Sequence, residues 1–174
     1  MNNTLTKGRV HKFGDDINTD YIISSRYKRD TTDCDILKKY IFADIRENFF
    51  ESIRLGDVLV AGHNFGCGSA MEVAAMVIKA AGFKVIIAKS FARSFYRNGM
   101  NNGILLLETD TDCLCEGDLA EVLLETGASL RLSINDNANI IQLGELCPIN
   151  KMLFNEGGLV NYVNKYDRLP TAHE

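Results

Sequence analysis

Between residues 57 and 107 the apolar positions form three short unbroken runs separated by two stretches of helical character. The runs are Val58-Leu59-Val60-Ala61, Val85-Ile86-Ile87-Ala88 and Ile104-Leu105-Leu106-Leu107. Runs without polar alternation predict strands covered on both faces. The stretch 70–81 predicts a helix ending at Gly82. Ser69 with Glu72 fits the capping box that would start it. Ser90 is expected to cap a second helix over 91–100, broken at Gly103. The β-α-β-α-β order implies a parallel sheet with right-handed crossovers.

The flanks carry different patterns. Residues 8–13, GRVHKF, alternate like a strand, and the turn-rich segment 14–20 follows. Tyr21-Ile22-Ile23 predicts a short strand, and the polar stretch 24–32 predicts an exposed loop. From 33 to about 50 the apolar residues Ile36, Leu37, Tyr40, Ile41, Ile45 and Phe49 fall at helical spacing, with Asp33 as N-cap. In the last third, 119–125, 130–134 and 140–143 are short runs parted by Thr126-Gly127 and Asn135-Asp136-Asn137, as in antiparallel hairpins. A short helix is expected within 152–162, interrupted at Gly157-Gly158. The expected class is α/β: a parallel β-α-β-α-β core, antiparallel hairpins in the C-terminal third, and one domain over 1–174.

Composition narrows the function. Nineteen Lys and Arg against 23 Asp and Glu give a net charge of −4, with no dense basic run, which argues against a dedicated nucleic-acid surface. No apolar stretch reaches transmembrane length, and none near the start has signal-peptide character, so a cytoplasmic location is expected. The five cysteines are Cys34, Cys67, Cys113, Cys115 and Cys147. An odd number in such a chain predicts free thiols. Cys113 and Cys115 lack the spacing and neighbours of a zinc site or cluster, so no metal is expected in this chain.

Candidate chemistry gathers at Gly62-His63-Asn64-Phe65-Gly66-Cys67-Gly68-Ser69. Three glycines in seven residues lie between a buried strand and a helix start. Glycine allows close backbone approach, and free amides at a helix N-terminus attract anions. The pattern is not the dinucleotide fingerprint, since position 71 is Met, and no Gly-Lys-Ser/Thr follows. Two readings stay open on pattern alone: a carboxylate cradle, or a tight strand-to-helix turn. Cys67 has no activating His and reads as structural, and His63 reads as structural or solvent-facing rather than catalytic. His11 and His173 have no partner nameable from sequence. Arg93 and Arg97, one turn apart, are expected to pack and form salt bridges.

The same residues resemble a family. Residues 62–72 are similar to GxNFGCGSSRE, the signature of the small subunit of 3-isopropylmalate dehydratase, the swivel domain of the aconitase superfamily. Gly8-Arg9-Val10 through Asp20 resembles the opening GRVxKFGDxxxTD, and Ser24-Ser25-Arg26-Tyr27 resembles xARY. Residues 89–98 resemble KSFARIFYRN, and residues 157–162 resemble the closing GGLVNYL. The resemblance implies a β/β/α swivel fold and a two-component hydro-lyase. A large partner subunit would carry a [4Fe-4S] cluster, with no cofactor in this chain. The reaction would dehydrate or hydrate a hydroxy di- or tricarboxylate. Alternatives are an alkyl-substituted malate (dimethylmalate or methylmalate type), a homoaconitase-like substrate, or a non-catalytic scaffold subunit.

The resemblance assigns Ser69 as the base that takes a proton from carbon. Gly68 and Ala70 would flank the substrate. Where the family reads Ser-Ser-Arg-Glu, this chain reads Ser69-Ala70-Met71-Glu72. Met cannot replace an arginine fork on a carboxylate, a loss of about 1.5–3 kcal/mol for one charge-assisted bond. Candidate compensating cations are Arg26, Lys28 and Arg29. Arg29 occupies the Arg position of a Y-L-R-T loop that governs the substrate's variable group in the family.

Overall fold

The computed structural model describes residues 3–171. Strand β1 (Asn3–Lys12) is followed by three short helices, α1 (Thr19–Ile22), α2 (Cys34–Leu37) and α3 (Phe49–Ser52). Next come β2 (Val58–Ala61), α4 (Glu72–Ala80), β3 (Val85–Ala88), α5 (Arg93–Asn101) and β4 (Leu105–Glu108). The chain continues through β5 (Leu119–Leu124), β6 (Ser129–Ile134) and β7 (Asn139–Glu145) to α6 (Pro148–Glu156) and α7 (Leu159–Tyr166).

The strand order is β4-β3-β2-β1-β5-β6-β7. From β1 to β4 the pairing is parallel, and from β1 through β7 it is antiparallel. Strand β1 joins the halves. Its residues 3–9 pair with β5 and its residues 10–12 with β2.

Pleating divides each central strand between two cores. Leu59, Ala61, Ile86, Ala88 and Leu106 face α4 and α5, where Ala74, Ala75, Val77, Ile78 and Phe95 cover them. Val58, Val60, Val85, Ile87, Leu105 and Leu107 face the other way, onto Ala120, Val122, Leu130, Leu132 and Ile134 of the antiparallel half. The molecule is thus three layers: helices, parallel strands, antiparallel strands. Burial on both faces is why β2, β3 and β4 read as unbroken apolar runs.

The α/β class and both sheet halves match expectation, but several elements differ. Residues 21–23 are not a strand. Asn18 accepts a hydrogen bond from the Asp20 amide and starts helix α1, so the apolar run marks the fully buried Ile22 and Ile23 rather than a ladder. The single helix expected over 33–50 is broken up. Asp33 does cap α2, but a 3₁₀ turn over Lys38–Tyr40 and further turns follow. Phe42, at φ 55°, leaves helical geometry so that its amide donates to the Ile22 carbonyl and its ring stacks on Phe13 at 4.3 Å. The helical spacing there records anchors of an irregular segment.

Ser90 caps nothing. Its Oγ accepts from the Asn64 amide, and α5 starts after Ala92. Two helices rather than one close the chain, parted as expected at Gly157-Gly158.

His11 has a partner after all: its Nε2 lies 2.8 Å from Oδ2 of Asp57, both nearly fully buried. His173 lies outside the described residues. Arg93 and Arg97 are exposed and form no ion pair among the described residues, contrary to expectation; both line a cavity of about 540 Å³ beside β7 and α6. All five cysteines are free.

Candidate active site

Three loops meet at the carboxyl ends of β1, β2 and β3, where parallel sheets place ligand crevices. The 62–71 loop lies in the middle, and backbone bonds stitch it to both neighbours. Gly66 donates to the Ile17 carbonyl at 2.8 Å, and Thr19 donates to the Cys67 carbonyl at 2.9 Å. On the other side Phe65 donates to the Ser90 carbonyl at 3.0 Å, and Ala92 donates back to Phe65 at 2.9 Å. Side chains reinforce the join: His63 N–H donates to Asp15 at 2.6 Å, and Asn64 Nδ2 donates to Asp16 at 2.8 Å.

Two glycines are required by geometry. Gly66 has φ 79°, and a Cβ there would lie 2.1 Å from the Phe95 ring. Gly68 has φ 87°, and a Cβ there would lie 2.5 Å from the Asn18 side chain. A left-handed φ and a contact this close together exclude other residues.

Ser69 does not cap the helix, which corrects the capping-box expectation. Helix α4 begins at Glu72 with Met71 in the cap position, extended at φ −99° and ψ 112°, and no side chain caps it. The Ser69 carbonyl accepts from the Met71 amide at 2.8 Å and from Thr19 Oγ1 at 2.9 Å. These bonds hold the serine backbone short of the helix. Its hydroxyl is exposed and has no hydrogen-bond partner among the described residues. The amides of Gly68, Ser69 and Ala70 likewise donate to no protein group there. An unencumbered hydroxyl therefore stands beside three free amides, two residues ahead of the Met71 cap at the positive end of α4.

The other candidates diverge. Arg26 is engaged by Asp44 and Tyr27, its guanidinium 4.7 Å above the Tyr27 ring. Arg29 is exposed, with no side-chain partner among the described residues. Lys28 is half-buried, and its Nζ lies 2.7 Å from Sδ of Met71. Cys67 fits its structural assignment: burial, reinforced by Asp16, pushes its thiol up, away from the reactive thiolate. Asn18 and Thr19, given no role from sequence, are what fix Gly68 and Ser69 in place. Their signal was the turn-rich composition of 14–20.

Comparison with known proteins fits this geometry. Residues 16–112, which hold most of the first loop and the whole of the other two, match the family model described as the aconitase C-terminal domain. The chain belongs to this family. The aconitase-type chain is 44% identical over 161 residues to the methanogen homoaconitase small subunit of Methanocaldococcus jannaschii, covering 92% of each. It is 40% identical to 3-isopropylmalate dehydratase small subunit 1 of Thermotoga maritima, covering 95% of this chain and 99% of that one. A crystal structure of 3-isopropylmalate dehydratase from Methanocaldococcus jannaschii superposes with a TM-score of 0.84 at 42% identity, covering 96% of both.

The aconitase-type chain is accordingly a dehydratase small subunit, and small subunits of that name imply a large partner. No cluster of three or more His, Cys, Asp or Glu able to hold a metal occurs among the described residues. No helix among them is long and apolar enough to cross a membrane.

Proposed function

We propose that this subunit supplies the proton-transfer half of a two-component hydro-lyase of the 3-isopropylmalate dehydratase type, with Ser69 as the base. The observation that carries this reading is the Ser69 hydroxyl: exposed, uncapped and beside three unpaired amides. A serine oxyanion needs donors fixed before the reaction begins, because water would otherwise have to reorganise around it. The amides of Gly68, Ser69 and Ala70 are such donors, in a loop held by its bonds to the Ile17 and Ser90 carbonyls and from Thr19.

In the dehydration direction Ser69 removes a proton from carbon, the C–H electron pair becomes the new double bond, and the neighbouring hydroxyl leaves. In the hydration direction Ser69 returns the proton. A [4Fe-4S] cluster on the large subunit would supply the Lewis acid that assists the hydroxyl. The substrate class is a hydroxy di- or tricarboxylate, and the site would work in the cytoplasm. The unpaired guanidinium of Arg29 favours a substrate whose variable group carries a carboxylate, in line with the homoaconitase relative.

Ser69→Ala tests the proposal. In the pair reconstituted with its large subunit, kcat should fall by about 10²–10⁴, while melting temperature and assembly stay unchanged. Undiminished turnover would make this a scaffold subunit instead.

A further inference from the structure

Lys28 is the one candidate cation whose charge the structure delivers to position 71. Its Nζ sits 2.7 Å from Sδ of Met71, the residue standing where the family signature has Arg. A thioether is a weak acceptor and neutralises nothing. Lys28 forms no ion pair among the described residues, although Asp30 lies two residues on and Glu72 follows Met71. Holding a half-buried ammonium against sulfur rather than a carboxylate leaves most of its charge available. Arg26, by contrast, is committed to Asp44. Lys28 lies at the end of the 3₁₀ turn Ser25–Lys28, which Ile23 and Ser24 join to α1, the helix that begins with Thr19, whose hydroxyl fixes the Ser69 loop.

We propose that Lys28 is the carboxylate anchor of this site, a charge transplanted across the crevice from position 71 to the facing loop. This rests on the hydro-lyase reading above and extends it: the ammonium binds a substrate carboxylate as a point charge, in place of an arginine fork. Lys28 is here a substrate-binding residue and takes no part in the proton transfer.

The test uses the reconstituted pair with 3-isopropylmalate, malate and 2,3-dimethylmalate, working with the acid turned over best. Lys28→Met should raise KM about 10- to 100-fold, the size of one charge-assisted hydrogen bond, with a much smaller change in kcat. Lys28→Arg should keep KM near the parent value. The double variant Lys28→Met with Met71→Arg returns the cation to the other wall and should recover at least tenfold in KM over Lys28→Met alone. An unchanged KM in Lys28→Met, or a double variant no better than the single one, overturns the anchor while leaving the hydro-lyase reading intact. A wild-type pair that turns over none of these three acids, nor the tricarboxylate homocitrate, overturns both.

Discussion

Single atoms decide the site's shape at Gly68, where any side chain would meet Asn18. Gly68→Ala adds a Cβ 2.5 Å from the Asn18 side chain to a backbone already at φ 87°. It should lower stability by about 1–3 kcal/mol, measurable as a shift in the urea midpoint, and should displace the Ser69 hydroxyl. A second residue-scale prediction concerns a buried acid. Asp57 is 3% exposed, accepts from the amides of Arg9 (2.9 Å) and Arg54 (2.8 Å), and faces His11 at 2.8 Å. Removing it strands the Arg9 and Arg54 amides and leaves His11 Nε2 without its partner between the rings of Phe49 and Phe83. Asp57→Ala should therefore cost about 3 kcal/mol or more in denaturant unfolding, since buried groups left without partners dominate such losses. The exposed Asp30, with no partner among the described residues, should tolerate the same change.

Among the elements, the start of α4 matters most. Had Ser69 capped it, the hydroxyl would be consumed by the Glu72 end of the capping box. The helix instead starts late, and bonds from Thr19 hold the serine outside it. The closing helices carry a pH-dependent tie. Lys165 and Tyr166 of α7 donate to Glu156 of α6 at 2.9 and 3.0 Å. These bonds, that from Lys165 first, hold the Glu156 carboxyl below the usual range. A carboxyl whose pKa is depressed by folding contributes stability above its unfolded pKa, about 4.3, and loses it as pH falls through the folded value. The melting-temperature gap between wild type and Glu156→Gln should thus be present at neutral pH and close on acidification below about 4. A gap that persists unchanged in acid would show that the tie works through packing.

At the scale of the whole molecule, the sheet converts distant segments into one site. Residues 14–20, 62–71 and 89–93 are far apart in sequence, yet β1, β2 and β3 run parallel and end at the same edge. The exposed Ser69 hydroxyl at that edge faces away from both cores, where a large subunit could close over it.

The unbroken runs of β2, β3 and β4 determined the parallel core unaided, because strands buried on two faces tolerate no polar position. The glycine pattern likewise marked where the backbone turns left-handed, since a positive φ is a local demand, whereas the close contacts of Gly66 with Phe95 and of Gly68 with Asn18 are long-range. Tertiary structure alone decided the rest. Periodicity over 33–50 cannot distinguish a helix from spaced anchors, and Phe42 broke the helix because its long-range bond to Ile22 and its stack on Phe13 replaced local helical bonds. Ser69 and Glu72 have the spacing of a cap, but the bond from Thr19, fifty residues earlier, kept the serine free. Nor could spacing place Lys28 on Met71 or His11 on Asp57, for pairs brought together by sheet topology leave no trace in local sequence.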